Sequence, residues 1–180
     1  MNSELQLIIG PMFSGKTSEL IRRINRYVLI DKKCIVIKSN KDNRDLDNQN
    51  IYTHDKVNIP AYNVDNLNNI SQIIIDNYDV FGIDEGQFFV DIKTFVKLLL
   101  NNNKIIIISA LDATYSMEPF YNICNLIPLA EKVKKLSAIC IDCGNNAYFS
   151  KRIINNSNIE LIGGKEVYKP VCRPCFHKKN

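Results

Sequence analysis

Four apolar runs punctuate the chain, at Leu5–Ile9, Cys34–Lys38, Val80–Asp84 and Lys104–Ser109. The last two are almost continuously apolar, as expected for strands covered on both faces of a parallel sheet. Between the runs, apolar residues recur at helical spacing. Ser18–Leu29 carries Leu20, Ile21, Ile24 and Val28 on one side and its arginines on the other. Leu67–Tyr78 and Phe88–Asn101 follow a similar pattern. This alternation predicts an α/β domain with right-handed crossovers, whose ligand lies beyond the carboxyl ends of the strands. The polar segment Ser39–Asn58 has no period and reads as a loop near that edge. After Leu136 the character changes to a cysteine-bounded module with a polar stretch, Ser150–Asn158, in its middle. The expected division is therefore residues 1–136 for the α/β domain and 137–180 for a small appended one.

The turn after the first strand reads Gly10-Pro11-Met12-Phe13-Ser14-Gly15-Lys16-Thr17, a complete G-x-x-x-x-G-K-T phosphate-binding loop. Its setting between a strand and a helix start lets backbone N–H groups and the helix dipole converge on a polyphosphate. Lys16 is placed to reach the β- and γ-phosphates and Thr17 to ligate Mg²⁺. The third run ends in two adjacent carboxylates, Asp84 and Glu85. In P-loop proteins an acid here holds Mg²⁺, and a neighbouring acid accepts a proton from the nucleophile. Successive side chains leave a strand on opposite faces, so Asp84 is assigned to the metal and Glu85 to the base.

Cys140-Ile141-Asp142-Cys143 and Cys172-Arg173-Pro174-Cys175 form two C-x₂-C knuckles. Four thiolates so spaced match tetrahedral Zn²⁺, with sulfur at about 2.3 Å and no open position, so the metal is structural. The wide separation of the pairs requires a protruding loop. Cys34 and Cys124 have no partner spacing and read as small core residues. Arg44, after Asp42-Asn43, is either a stabiliser of phosphoryl charge or a solvated loop residue. Phe13, Phe88, Phe89, Tyr115 and Phe120 taken singly read as core rather than substrate stack. His54 and His177 show no ligand spacing.

Composition narrows the partners. The 180 residues are 46% hydrophobic with a net charge of +4, enough apolar material for a proper core. The positive residues are scattered, and Lys178-Lys179 is too short for a nucleic-acid arm, so no nucleic-acid partner is expected. No apolar run approaches the roughly 20 residues of a membrane span, and Met1-Asn2-Ser3-Glu4 lacks a basic leader. A cytoplasmic, reducing location without membrane association follows, and the six cysteines are read as thiols or metal ligands.

In order, Gly10 to Leu20, then Gly82-Ile83-Asp84-Glu85-Gly86-Gln87-Phe88-Phe89, then Ala110-Leu111-Asp112-Ala113-Thr114-Tyr115 resemble the zinc-containing, P-loop thymidine kinase family of cellular and poxvirus type. The two knuckles, with Ile162-Gly163-Gly164 and Tyr168 before the second, complete a resemblance that covers nearly the whole chain. It implies a RecA-like, P-loop NTPase sheet flanked by helices and a C-terminal zinc ribbon carrying a lasso. It implies transfer of the γ-phosphoryl of ATP to the 5′-hydroxyl of thymidine or deoxyuridine, giving dTMP and ADP for nucleotide salvage. Glu85 is then the general base. Asp42, Asn43 and Arg44, with Asp84, Glu85, Gly86 and Gln87, join Gly10, Pro11, Met12, Phe13, Ser14, Gly15, Lys16 and Thr17 around the nucleotide and Mg²⁺. Met12, Phe88, Leu111 and Tyr115 wall the nucleoside pocket, which takes Phe88 and Tyr115 out of the core. The backbone of Ile159, Glu160, Leu161, Ile162 and Gly163 hydrogen-bonds the thymine edge, while Tyr168 packs by sugar and base. Feedback inhibition by dTTP and a homotetramer are likewise implied.

This chain departs from the family pattern at three places: Ala113 replaces Gly, Tyr115 replaces Phe, and Ser150 stands where Thr is common. Ala113 predicts strain if that position carries a positive φ. The chain ends shortly after Cys175, so no regulatory tail is expected. Two rival readings share the P-loop. One is a nucleic-acid-stimulated ATPase in which Glu85 activates water; the lack of a basic stripe opposes it. The other is a zinc-stabilised nucleotide-binding regulator without turnover, which the retention of Glu85 beside Asp84 opposes.

Overall fold

The apolar runs pair side by side as the core of one sheet. In the computed structural model, which describes residues 3–41, 50–52, 58–155 and 161–178, they are β1 (Glu4–Ile9), β2 (Cys34–Ser39), β6 (Val80–Ile83) and β7 (Ile105–Ala110). Two edge strands, β5 (Tyr62–Val64) and β8 (Lys132–Lys135), complete the order β5-β2-β6-β7-β1-β8. Every pairing is parallel. The strand β7, between β1 and β6, shows why continuous apolar runs were needed. Ile105 and Ile107 face α1 (Lys16–Val28), packing with its Leu20, Ile21 and Ile24. Ile106 and Ile108 face the opposite layer, where α3 (Ile92–Asn101) supplies Ile92, Phe95, Val96 and Leu99. Each such side chain, fully buried, contributes about 1.5–3 kcal/mol.

The remaining elements depart from the periodic pattern for local reasons. The expected helix Leu67–Tyr78 splits into a 3₁₀ turn, Leu67–Asn69, and α2 (Gln72–Asn77). The Asn66 side chain accepts from Asn68 N at 2.9 Å, closing the turn before the backbone extends at Ile70 and Ser71. Likewise Gly86–Phe88 is a 3₁₀ turn, and α3 starts only at Ile92. The segment read as a loop contains β3 (Asn50–Tyr52), which pairs antiparallel with β4 (Asn58–Pro60) at the segment's end. A short α4 (Tyr121–Cys124) follows β7.

Beyond β8, β9 (Ala138–Ile139) and β10 (Asn146–Ala147) form a hairpin, and β11 (Phe149–Arg152) pairs antiparallel with β12 (Tyr168–Val171). The helix α5 (Arg173–His177) closes the chain. This module has its own small core of Ala138, Ala147, Val171 and three cysteines, against which Phe13 of the P-loop also packs. A hydrogen bond from Met12 N to Ser150 Oγ, 2.9 Å, joins the two parts. The module therefore sits directly on the phosphate-binding loop.

Candidate active site

The P-loop lies between β1 and α1, where the sequence places it. Gly10 has φ 149°, and a Cβ there would lie 2.6 Å from the Leu136 carbonyl oxygen. Gly15 caps α1 in the left-handed region at φ 78°, and Phe13 joins it at φ 65°. Residues in the left-handed region are of the kind from which anion-binding loops are built. Lys16 is buried and donates from Nζ to Pro11 O at 2.7 Å, which holds its ammonium over the loop. Farther along α1, Glu19 bonds Arg22 at 2.6 Å and Arg23 at 2.9 Å, while Arg23 reaches Gln6 of β1. The Arg22 hydrogen bond leads in lowering the Glu19 carboxyl to about 2, against the opposing effect of burial.

Asp84 and Glu85 leave the end of β6 in different directions. Asp84, 4% exposed, faces α1. Thr17 Oγ1 donates to its carboxylate, 3.1 and 3.2 Å from the two oxygens, and the Ser109 hydroxyl donates to Oδ1. Because Thr17 spends its proton on Asp84, its lone pairs are oriented for a cation. Glu85 is also buried, with φ 50° and ψ 45°. A left-handed glutamate is strained by about 1–3 kcal/mol and persists where surrounding contacts over-determine it. Gln87 supplies one such contact, donating from Nε2 to Glu85 Oε2 at 2.6 Å. Gln87 Oε1 in turn accepts from Leu111 N at 3.0 Å, and Asn122 ties down the Gln87 carbonyl at 2.9 Å.

Past Leu111, an aromatic and apolar wall forms. Met12, Val167 and Tyr168 are buried together, with Phe13, Leu111, Tyr115 and Leu161 packed against them. Arg152 of β11 lies 3.7 Å above the Tyr115 ring and donates to Tyr168 Oη at 2.8 Å. Tyr168 Oη donates onward to Leu161 O, also 2.8 Å. Five sequence-derived pocket residues (Met12, Leu111, Tyr115, Leu161 and Tyr168) thus converge. Phe88 stands apart, half-buried on the 3₁₀ turn, and Phe89 is core. Ile162 is 40% exposed, while Gly163 packs so closely on Val167 that a Cβ would lie 2.3 Å from its Cγ2. Asp42, Asn43, Arg44, Ile159 and Glu160 lie outside the described residues. Ala113 carries no strain. Its φ is not positive, and it bridges Pro119 in an extended turn.

Sequence reasoning assigned no role to Ser109, Arg152 or Asn122. A signal for Ser109 existed, since it is a polar residue at the end of an otherwise apolar strand. For Arg152 there was none; its neighbours Tyr115 and Tyr168 come from elements far apart in sequence.

The four cysteine sulfurs of the knuckles lie within 4.8 Å of one another. Sulfurs around one Zn²⁺ stand about 3.8 Å apart when each bond is about 2.3 Å; Cys143 and Cys172 are 3.5 Å apart. The set fits that ion. Burial opposes ionising Cys140, yet backbone N–H groups of Cys172, Asp142 and Cys143 outweigh it and bring the thiol down to about 6. Cys175 is pushed up to about 12, by its Cys172 neighbour first and by burial next. One thiol ionises readily while its neighbour resists, an imbalance that a bound dication removes.

A parallel sheet with this loop between β1 and α1, and an acidic pair ending β6, makes the protein a P-loop nucleotide-binding α/β protein with a four-cysteine module. The family described as "Thymidine kinase" matches residues 3–176. Thymidine kinase of Yaba monkey tumor virus (strain VR587) is 51% identical over 183 aligned residues, covering 100% of this chain and 99% of that one. The monkeypox virus enzyme is 50% identical over 172 residues, 96% of each chain. That of vaccinia virus (strain Western Reserve) is 49% identical over the same span and coverage. The chain belongs to the thymidine kinase family. Among the described residues, no helix is long and apolar enough to cross a membrane.

Proposed function

We propose that the protein transfers the γ-phosphoryl of ATP to the 5′-hydroxyl of thymidine, and of deoxyuridine, giving the 5′-monophosphate and ADP. The observation that carries this reading is the divergence of Asp84 and Glu85. One carboxylate is bonded to Thr17 beside the phosphate-binding loop. The other turns to Gln87, whose far end holds the start of the Leu111–Tyr115 wall. Donor and acceptor therefore meet at two adjacent residues.

In this reading Gly10 to Thr17 cradle the triphosphate, and Lys16 neutralises charge on the transferred group. Thr17 and Asp84 would hold Mg²⁺, which would supply positive charge against the phosphates. Glu85 accepts the proton of the 5′-hydroxyl as oxygen attacks phosphorus. Met12, Leu111, Tyr115 and Tyr168 enclose the nucleoside. The segment 159–163 reads the base edge through its backbone, and Asp42 to Arg44 and Gly86 attend the nucleotide. Gln87 serves the base rather than the phosphates. The four cysteines hold a structural Zn²⁺ that clasps the loop of the 137–180 module against the 1–136 domain. A cytoplasmic homotetramer inhibited by dTTP, with no nucleic-acid partner, completes the reading; family resemblance supports it.

The test is ADP release from Mg·ATP with thymidine, with single-stranded DNA and with neither. Release dependent on thymidine alone is expected. Stimulation by DNA supports the ATPase alternative instead, and no release under any condition supports the regulator.

A further inference from the structure

The polar end of the central strand has a use that neither the P-loop nor the acidic pair explains. On the α1 side of β7 the strand presents Ile105 and Ile107, then Ser109. The register pairs Ile83 with Ile108 on one side and Ile8 with Ser109 on the other. Ser109 therefore stands one strand from Asp84 and two residues short of Gly10, level with the floor of the phosphate site. It is 0% exposed. A buried hydroxyl in an isoleucine strand is costly unless bonded, and its partner is Asp84 Oδ1.

We infer that Ser109 is a positioning residue for the metal-holding carboxylate, an inference that rests on the functional reading above. Asp84 is gripped from two elements, by Thr17 of α1 and Ser109 of β7. Thr17 spans both oxygens and does not distinguish them. Ser109 bonds one oxygen only, which fixes the rotation of the carboxylate about its Cβ–Cγ bond. It thereby holds the carboxylate plane in the setting where both oxygens reach the Thr17 hydroxyl. Partners of this kind, one step removed from a metal, change metal affinity or activity by about 10–100-fold when lost. Without Ser109, Asp84 keeps its place but loses its orientation.

The experiment compares wild type, Ser109→Ala and Ser109→Thr by Mg²⁺ activation of turnover and by calorimetric binding of Mg²⁺·ADP. In Ser109→Ala, half-activating Mg²⁺ is expected to rise about tenfold or more, and Mg²⁺·ADP affinity to fall comparably. Thymidine KM and the melting temperature without metal or nucleotide should remain near wild type. Ser109→Thr, which keeps the hydroxyl, should recover part of the loss. Unchanged Mg²⁺ dependence in the alanine variant overturns the inference. So does a Mg²⁺ shift matched by an equal loss of thymidine binding, which marks general loosening of the sheet. Should the threonine variant not fold, the alanine comparison decides alone. The calorimetric arm needs no acceptor, so a wild type that binds Mg²⁺·ADP but leaves thymidine unphosphorylated overturns the functional reading and still tests this one.

Discussion

Gln87 donates to the Glu85 carboxylate at 2.6 Å while accepting from the Leu111 backbone at 3.0 Å. One buried amide thus fixes both the proposed proton acceptor and the first residue of the nucleoside wall. Replacing it by alanine removes both bonds without touching the P-loop. Gln87→Ala is expected to lower kcat by about 10–100-fold and to raise thymidine KM, leaving ATP KM within about twofold. Steady-state kinetics with each substrate varied in turn check this; an ATP-specific defect would return Gln87 to the phosphate site.

Arg152 joins Tyr115 to Tyr168 by a stacked contact and a hydrogen bond. Together these are worth about 1–3 kcal/mol. Arg152→Ala should raise thymidine KM about tenfold with little change in ATP KM, and Arg152→Lys should recover less than half, because lysine lacks the planar fork. Equal loss for both substrates would contradict a role confined to the acceptor side.

The cysteine cluster predicts metal content. The purified protein should carry one zinc per chain, and Cys172→Ser should lose it. Structural zinc contributes about 10–16 kcal/mol of apparent binding free energy, so the module around β11 and β12 should become protease-sensitive and thymidine affinity should fall. Zinc content and thymidine affinity both unchanged in the variant would remove the clasp from the account.

Glu19 supplies a pH dependence. Its carboxyl is lowered to about 2, with the Arg22 bond as the leading cause. A lowered carboxyl stabilises the fold above its unfolded value, about 4.5, and that stability is lost as pH falls toward about 2. Since Arg22 is mostly exposed, screening reduces the contribution to about 1 kcal/mol. Urea titrations at pH 7 and pH 2 should show Glu19→Gln destabilising at the higher pH and near-neutral at the lower. A constant difference across that range contradicts the assignment.

The parallel sheet was legible because its inner strands, such as Ile105–Ala110, are covered on both faces and need unbroken apolar runs. The edge strand β8 was not. Lys132, Val133, Lys134 and Lys135 are all exposed, and lysine on an edge is a guard against pairing rather than a strand signal. In the site, motif residues close in sequence were found, whereas contacts made by the fold were missed. Phe88, half-buried on the 3₁₀ turn, packs outside the Met12–Tyr168 cluster, a placement set by the turn that periodicity did not foretell. At Ala113 the turn through Pro119 removes any demand for glycine.

The central claim, phosphoryl transfer to thymidine with Glu85 as base, is tested most directly by measuring dTMP formed from Mg·ATP and thymidine by wild type and Glu85→Gln at saturating substrates. The account predicts thymidine-dependent dTMP formation by wild type. It predicts a loss of about 10²–10⁴-fold in the variant, with ATP and thymidine still bound at near wild-type affinity. Glu85→Gln turning over at the wild-type rate, or a wild type that forms ADP but no dTMP, would contradict it.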